Sequence, residues 1–459
     1  MNTDYLIQGA GAMGMAAADV LLAETDAQLL IVDRHHRPGG HWNDAYPFVR
    51  LHQPSATYGV NSRPLGHGAR DRHGLNQGLY ELASGHEVLG YFDQVMNEQF
   101  LPSGRVRYLP MHEVLPDGQL RSLLSGQVTP VQVRRKFIES SFLNTQVPST
   151  RPPQYSVAEG MVCVPLNELP KIKQPPEGFV IVGAGKTAMD AVIWLLAQGV
   201  PPDAVRWIMP RDSWLVDRAN VQPVHEFFMQ SFGAVAAQLQ AIVDATSMTD
   251  LYHRLEAAGQ LLRIDPTVEP SKYYCATVSR QELEQLRRIK EVVRLGRVQR
   301  IESDRIVLEQ GSVPTSAGVV HVDCSATAIE PRPAEPVFQG SRIVLQMVRA
   351  CQPVFSAAFI AHVETAFGTD AQKNELCAVA PMPSPGLKWL EMLATNMANQ
   401  HRWTRDEGLA KWLVGCRLDG FSALSRGVRE DEHDKRELLL RVRALGGLAR
   451  AKFGVLMAA

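Results

Sequence analysis

Two glycine clusters hold the residues best suited to chemistry in this sequence. The first is Gly9-x-Gly11-x-x-Gly14, and about 20 residues beyond it an apolar run ends in Asp33. Gly9 permits a tight turn, Gly11 lets the backbone approach a diphosphate, and Gly14 lets the next helix lie against the preceding strand. The N-terminus of that helix offers free N–H groups and partial positive charge to an anion. Asp33 can accept hydrogen bonds from ribose hydroxyls and would repel a 2′-phosphate. The second cluster, Gly183-x-Gly185-Lys186-Thr187-Ala188, is followed by a strand that closes on Arg211. A guanidinium there can pair with a 2′-phosphate, so this turn is expected to take NADP(H) in preference to NAD(H).

Each cluster must be held between a strand and a helix, and the flanking residues predict both. Tyr5 to Ile7 is a short apolar strand, an Ala-rich helix follows the glycines, and Leu29 to Val32 is the next strand. The pattern repeats with Phe179 to Val182, an apolar helix to about Gln198, and Val205 to Met209. The fold class expected is therefore α/β, with two Rossmann-type dinucleotide-binding units. Arg34, then Gly40, His41 and Trp42 in a Gly-Gly loop, follow the first unit closely enough to touch its ligand. Arg50, His52 and Gln53 add further donors to the same stretch.

The chain has 459 residues, 45% hydrophobic and 21% charged, which suits two or three globular domains. A formal net charge of −1 gives no global field toward nucleic acid or anionic lipid, and neither a nucleic-acid nor a membrane partner is expected. Residues 6–23 are almost wholly apolar, but Asp4 precedes them and no Lys or Arg forms an export signal, so a cytoplasmic location is expected. Cys163, Cys275, Cys324, Cys351, Cys377 and Cys416 form no CxxC pair and read as free thiols. No metal-ligand spacing and no Ser/His/Asp nucleophile arrangement is present.

Along the chain, a helix is predicted over 84–100, short strands over 106–142, and a Pro-rich connector at 147–155. Two amphipathic helices are expected within 224–262, a polar-faced helix over 279–294, and a hairpin from RVQRIE and RIVLEQ. From Gly386 onward the pattern is mostly helical, and RGVREDEHDKRE reads as a solvated charge run.

With two such turns, the chain resembles the two-dinucleotide-binding-domain flavoproteins, which carry FAD on the first unit and NAD(P)H on an inserted second one. GGHW after Asp33 is similar to the GG-x-W segment of the class B flavoprotein monooxygenases, and PRDSW to that class's Arg-x-x-Trp. VDCSATA (322–328) stands where the superfamily places an Ala-Thr-Gly turn, which makes Thr327 a cofactor-binding position. The resemblance implies an FAD domain over 1–155, an inserted NAD(P)H domain over 156–320, and a return to the FAD domain with C-terminal helices over 321–459. It also implies that Arg50, His52 and Gln53 line the flavin face as catalytic residues. The expected partners are then a small organic substrate and oxygen, with the oligomeric state left open. Ahead of the second turn the chain reads VPLNELPKIKQPPEGF in place of the class's Phe-x-Gly and His segment. Two other readings therefore stand beside a monooxygenase: a flavin-dependent reductase or dehydrogenase without oxygen insertion, and a non-catalytic FAD/NADP(H)-binding protein.

Overall fold

The computed structural model describes residues 1–143, 145–326, 329, 332–381 and 388–458. β1 (Asn2–Gln8), α1 (Ala12–Glu24) and β2 (Leu29–Asp33) form the first strand–helix–strand unit. β2 is buried along its whole length, as a parallel strand covered on both faces must be. Ser84 and Glu87 open α2 (Gly85–Gln94) with a reciprocal capping box, and the helix runs on into a π-helical turn over 95–100. The helix predicted over 84–100 thus forms, with its last turns widened.

β3 (Val106–Pro110) extends the sheet beyond β2. A small antiparallel sheet of β4 (His112–Val114), β5 (Leu120–Ser122) and β6 (Val128–Thr129) follows, and its Leu120 packs on Leu6, Leu30 and Val32. β7 (Gln132–Glu139) then pairs in parallel with β1.

From β8 (Ser156–Val157) the chain moves to a second sheet through β9 (Val162–Pro165), β10 (Gly178–Val182), α3 (Lys186–Ala197) and β11 (Val205–Ile208). An excursion follows: β12 (Ser213–Asp217), α4 (Phe228–Asp244), α5 (Met248–Ala257), β13 (Leu261–Leu262) and β14 (Lys272–Val278). The helix predicted over 279–294 is shorter. α6 (Arg280–Leu286) stops, and β15 (Val292–Val293) pairs with Trp207 and Ile208 at the sheet edge, where β-branched residues pack well. β16 (Val298–Ile301), β17 (Arg305–Leu308) and β18 (Gly311–Pro314) form the expected hairpin and one strand more. β19 (Val319–Asp323) closes the second sheet in the order β15-β11-β10-β19-β9, all parallel.

β20 (Phe338–Gln339) and β21 (Arg342–Val344) return the chain to the first sheet, whose order is β20-β21-β7-β1-β2-β3. α7 (Pro353–Ala366) packs on α1, and its almost continuous apolar surface is buried from Val354 to Ala361. The rest is helical: α8 (Asp370–Leu376), α9 (Trp389–Trp403), α10 (Glu407–Gly415), α11 (Ser422–Arg426) and α12 (His433–Ala458). The charge run ends inside α12. Among the described residues no helix is long and apolar enough to cross a membrane.

Each sheet has its own core, and a third gathers Trp214, Tyr252, Tyr273 and Trp389 between the excursion and α12. At the edge of this third core the expectation of six free thiols fails. Cys275 on β14 and Cys351 before α7 are joined as a disulfide, with Cα atoms 6.1 Å apart and 76 residues between them in sequence. Sequence spacing cannot reveal such a pair, because only the packing of β14 against the returning chain brings the two together. Cys163, Cys324, Cys377 and Cys416 remain free.

Candidate functional site

The first glycine turn sits at the carboxyl end of β1, where parallel sheets bind ligands. Gly9 has φ +104°, and its N–H donates to the Val32 carbonyl at 2.7 Å. A Cβ on Gly14 would lie 2.0 Å from the Gly9 carbonyl oxygen, so only glycine lets α1 approach β1 this closely. Gly40, at φ +56°, lies over the turn, and a Cβ on it would stand 2.9 Å from the Gly11 Cα. Gly11 caps α1 without any side-chain hydrogen bond. The result is a backbone-walled cleft at a helix N-terminus, a form that suits a diphosphate.

Asp33 ends β2 in this cleft, buried, with both carboxylate oxygens already in use. Oδ2 accepts from the Ala10 N–H at 2.6 Å, and Oδ1 accepts from the His35 N–H at 2.7 Å. His35 was not singled out by sequence. Its Nδ1 lies 2.9 Å from Asp33 and its Nε2 lies 2.8 Å from Asp44. Both ring nitrogens face oxygens that can only accept, so the ring is doubly protonated. The hydrogen bond to Asp33, helped by Asp44 against the opposing effect of burial, raises its pKa to about 9. Arg34 points outward toward Glu113 at 3.9 Å.

The other loop residues divide between packing and cleft. Trp42 is buried in the first core, and its indole N–H donates to the Tyr58 hydroxyl at 2.8 Å, so it anchors the loop. His41 stacks on Trp42, and burial pushes its pKa down to about 4.

At the second turn Gly183 has φ +133°, and a Cβ there would fall 2.6 Å from the Cys324 carbonyl oxygen. Its carbonyl accepts from the buried Trp207 indole N–H at 2.7 Å. Gly185 differs: a Cβ on it would meet nothing within 4 Å, and it caps α3 without a side-chain partner. Thr187 is half-buried, and Ala188 is fully buried against the sheet. Lys186 pairs with Asp190 one turn along α3. Arg211 is exposed just past β11, with no acidic partner among the described residues.

Residues 46–52 tie the two turns together. Tyr46 is buried in the second core, and its hydroxyl donates to Asp190 Oδ2 at 2.5 Å. Burial, with Asp190 beside it, holds the Tyr46 phenol well above its ordinary pKa. Phe48 stacks on Trp194 of α3 with ring centroids 4.7 Å apart. The His52 carbonyl accepts from Arg218 Nε at 3.0 Å and from the Thr277 hydroxyl. Burial, with Lys186 and Arg218 adding their charge, lowers the His52 pKa to about 3, so the ring is neutral. Gln53 is half-buried next in the chain, whereas Arg50 is exposed and donates to the Leu82 carbonyl at 3.0 Å.

Arg218 is the other residue that sequence did not disclose. It is fully buried, bonds Asn76 and the Thr277 carbonyl besides His52, and pairs with Glu282 at 2.6 Å. Its partners come from three separate stretches, around residues 52, 76 and 277–282, so no local pattern marks it. Thr327 lies outside the described residues. Among the described residues no three His, Cys, Asp or Glu side chains are grouped to hold a metal.

Comparison with known proteins places these features in context. The NAD(P)-binding Rossmann-like domain family matches residues 7–66. The Rv2000 protein of Mycobacterium tuberculosis H37Rv is 54% identical over 419 residues, spanning 91% of this chain and 78% of that one. The Mb2023 protein of Mycobacterium bovis matches to the same extent. Among solved structures, the NADP+-bound cyclohexanone monooxygenase of Rhodococcus sp. Phi1 superposes with a TM-score of 0.50 at 12% identity, covering 99% of this chain and 98% of that one. A flavin monooxygenase of Stenotrophomonas maltophilia gives 0.48 at 14% identity, covering 80% and 99%. The likeness to the Rhodococcus structure is one of fold.

Proposed function

The chain belongs to the family of the mycobacterial Rv2000 proteins, and we propose that it is an FAD-dependent, NADPH-oxidising enzyme that works as a monooxygenase on a small organic substrate. The observation that carries this reading is the coupling of two glycine turns, each opening a helix. Each lies at a helix N-terminus capped by glycine with no side-chain partner. The Tyr46–Asp190 hydrogen bond locks one against the other.

FAD fits the first cleft. The α1 N-terminus and the Gly40 backbone would hold its diphosphate, and the one lone pair of Asp33 that remains, on Oδ2, would be open to its ribose, with His35 fixing that carboxylate. The second cleft suits NADPH. Its open space at Gly185 admits a diphosphate, and the unpaired Arg211 supplies a cation for the 2′-phosphate. When bound, FAD would supply the acceptor for the NADPH hydride and so the relay by which those two electrons reach oxygen. The chain's own part is to orient and to exclude water. His52, held neutral near Lys186, and Gln53 would border the region between the two turns, and the buried Arg218 fixes the His52 backbone. Arg50 is exposed, with its guanidinium held by the Leu82 carbonyl.

The test is a visible absorbance spectrum of the purified holoprotein before and after anaerobic NADPH, then after air, with product analysis on a panel of ketones and amines. Bleaching by NADPH, recovery in air and an oxygenated product are expected. Bleaching with electron transfer to a dye and no oxygenated product would assign the chain to the flavin reductases. A yellow protein that NADPH cannot bleach would make it a binding protein.

A further inference from the structure

α12 carries two apolar faces, and only one of them is covered. Leu445, Ala449, Phe453 and Leu456 point into the third core against α4 and α9. On the opposite face Leu440, Ala444, Leu448, Ala451 and Val455 recur at helical spacing. Leu440 is 67% exposed, Leu448 57% and Val455 61%. A helix in water normally keeps its outer face polar, so this second stripe calls for an occupant.

Charge identifies it. Arg436, Arg443 and Arg450 run along one flank of the stripe at heptad spacing, and Arg441 lies on the other, while Lys452 turns inward to donate to the Ala245 carbonyl at 3.0 Å. Arg441, Arg443 and Arg450 are exposed and pair with no acid among the described residues. The only acids of the helix, Asp434 and Glu437, lie in its first two turns. The positive field continues onto the end of α9, where Arg405, Arg450 and Arg402 together hold His401 below its ordinary pKa. A net charge of −1 for the whole chain hides this concentration.

We propose that the outer face of α12 is a docking surface for an anionic phospholipid membrane, on which the helix lies in the interfacial plane. The apolar stripe enters the acyl boundary while the flanking arginines meet lipid phosphates. A second copy of the chain is a poorer occupant, because two faces with the same basic borders repel each other. Nucleic acid has no use for the central stripe.

The experiment is co-sedimentation of the full-length holoprotein with vesicles of phosphatidylcholine alone or containing about a quarter phosphatidylglycerol. L448E and the double variant R443E/R450E are measured alongside, with flavin content and near-UV circular dichroism as folding controls. The expected result is binding to the anionic vesicles only, with the bound fraction falling about tenfold in each variant. Three results would overturn the proposal. One is equal binding, or none, on both vesicles. Another is anionic binding that neither variant weakens. The third is a dimer in solution that L448E dissociates, which would give the face to a second copy.

Discussion

Tyr46 and Asp190, 144 residues apart, are joined by a hydrogen bond of 2.5 Å between the loop that follows the first dinucleotide turn and the helix that opens at the second. Lys186 holds the same carboxylate from within α3. One buried phenol therefore ties the two glycine turns together, with Phe48 stacked on Trp194 as a second, apolar tie.

Tyr46→Phe removes this donor and leaves the ring in place. A hydrogen bond to a charged group contributes about 1.5–3 kcal/mol, and a loss of that order is expected in urea unfolding. Affinity for NADPH should fall as well, since Asp190 and Lys186 sit at the mouth of the second turn. Unchanged stability together with unchanged NADPH affinity would refute the locking role.

Gly185 and Gly14 separate binding from folding. Gly185→Val places its Cβ where nothing lies within 4 Å, so unfolding curves should match the parent while NADPH titration loses its response. Gly14→Ala forces a methyl to 2.0 Å from a backbone oxygen and should destabilise the protein by about 2 kcal/mol or more. Thermal melts and flavin content measured on both variants decide the matter, and an equal effect of the two would count against the assignment.

Arg211→Ala should raise the KM for NADPH far more than that for NADH. Losing one charge-assisted contact costs on the order of 1.5–3 kcal/mol, or roughly tenfold to a hundredfold in affinity. Steady-state kinetics with both coenzymes measure this, and an equal effect on both would remove Arg211 from the 2′-phosphate.

His35 predicts an alkaline weakness. Its pKa rises from 6.5 unfolded to about 9 folded, so its stabilisation is fully present below pH 6.5 and fades as pH climbs through 9. The contribution is on the order of 2–3 kcal/mol. Denaturant midpoints and FAD retention should both decline across that window, and His35→Gln should flatten the dependence. A parent protein equally stable at pH 6 and pH 10 would contradict the bridge between Asp33 and Asp44.

Alkylation in denaturant should label four cysteines before reduction and six after, because only Cys275 and Cys351 are joined. Closing so long a loop constrains the unfolded chain by about 4 kcal/mol, so a reductant should lower the thermal midpoint. Six labelled thiols without reductant would show the pair to be open.

What could be read in the sequence is local and periodic. The glycine spacings, the acid that ends β2, the cation after β11 and the apolar runs on either side define both strand–turn–helix units within a few neighbouring residues, where turn geometry and burial act. The same locality marks the limits. The stretch over 279–294 has a helical pattern throughout, yet Val292 and Val293 become an edge strand because β11 offers them a partner. Trp42 reads as a ligand contact, but the first core claims it. Arg218 and the Cys275–Cys351 pair leave no trace in the sequence, since their partners come from distant stretches, whereas His35 meets two nearby acids, Asp33 and Asp44, through the fold of the loop after β2. Spacing along the chain decided which residues form the two glycine turns, the proposed cradles for a diphosphate. Only tertiary packing decided that the two cradles would be joined through Tyr46, which charges would meet, and that one long helix would keep an apolar face uncovered.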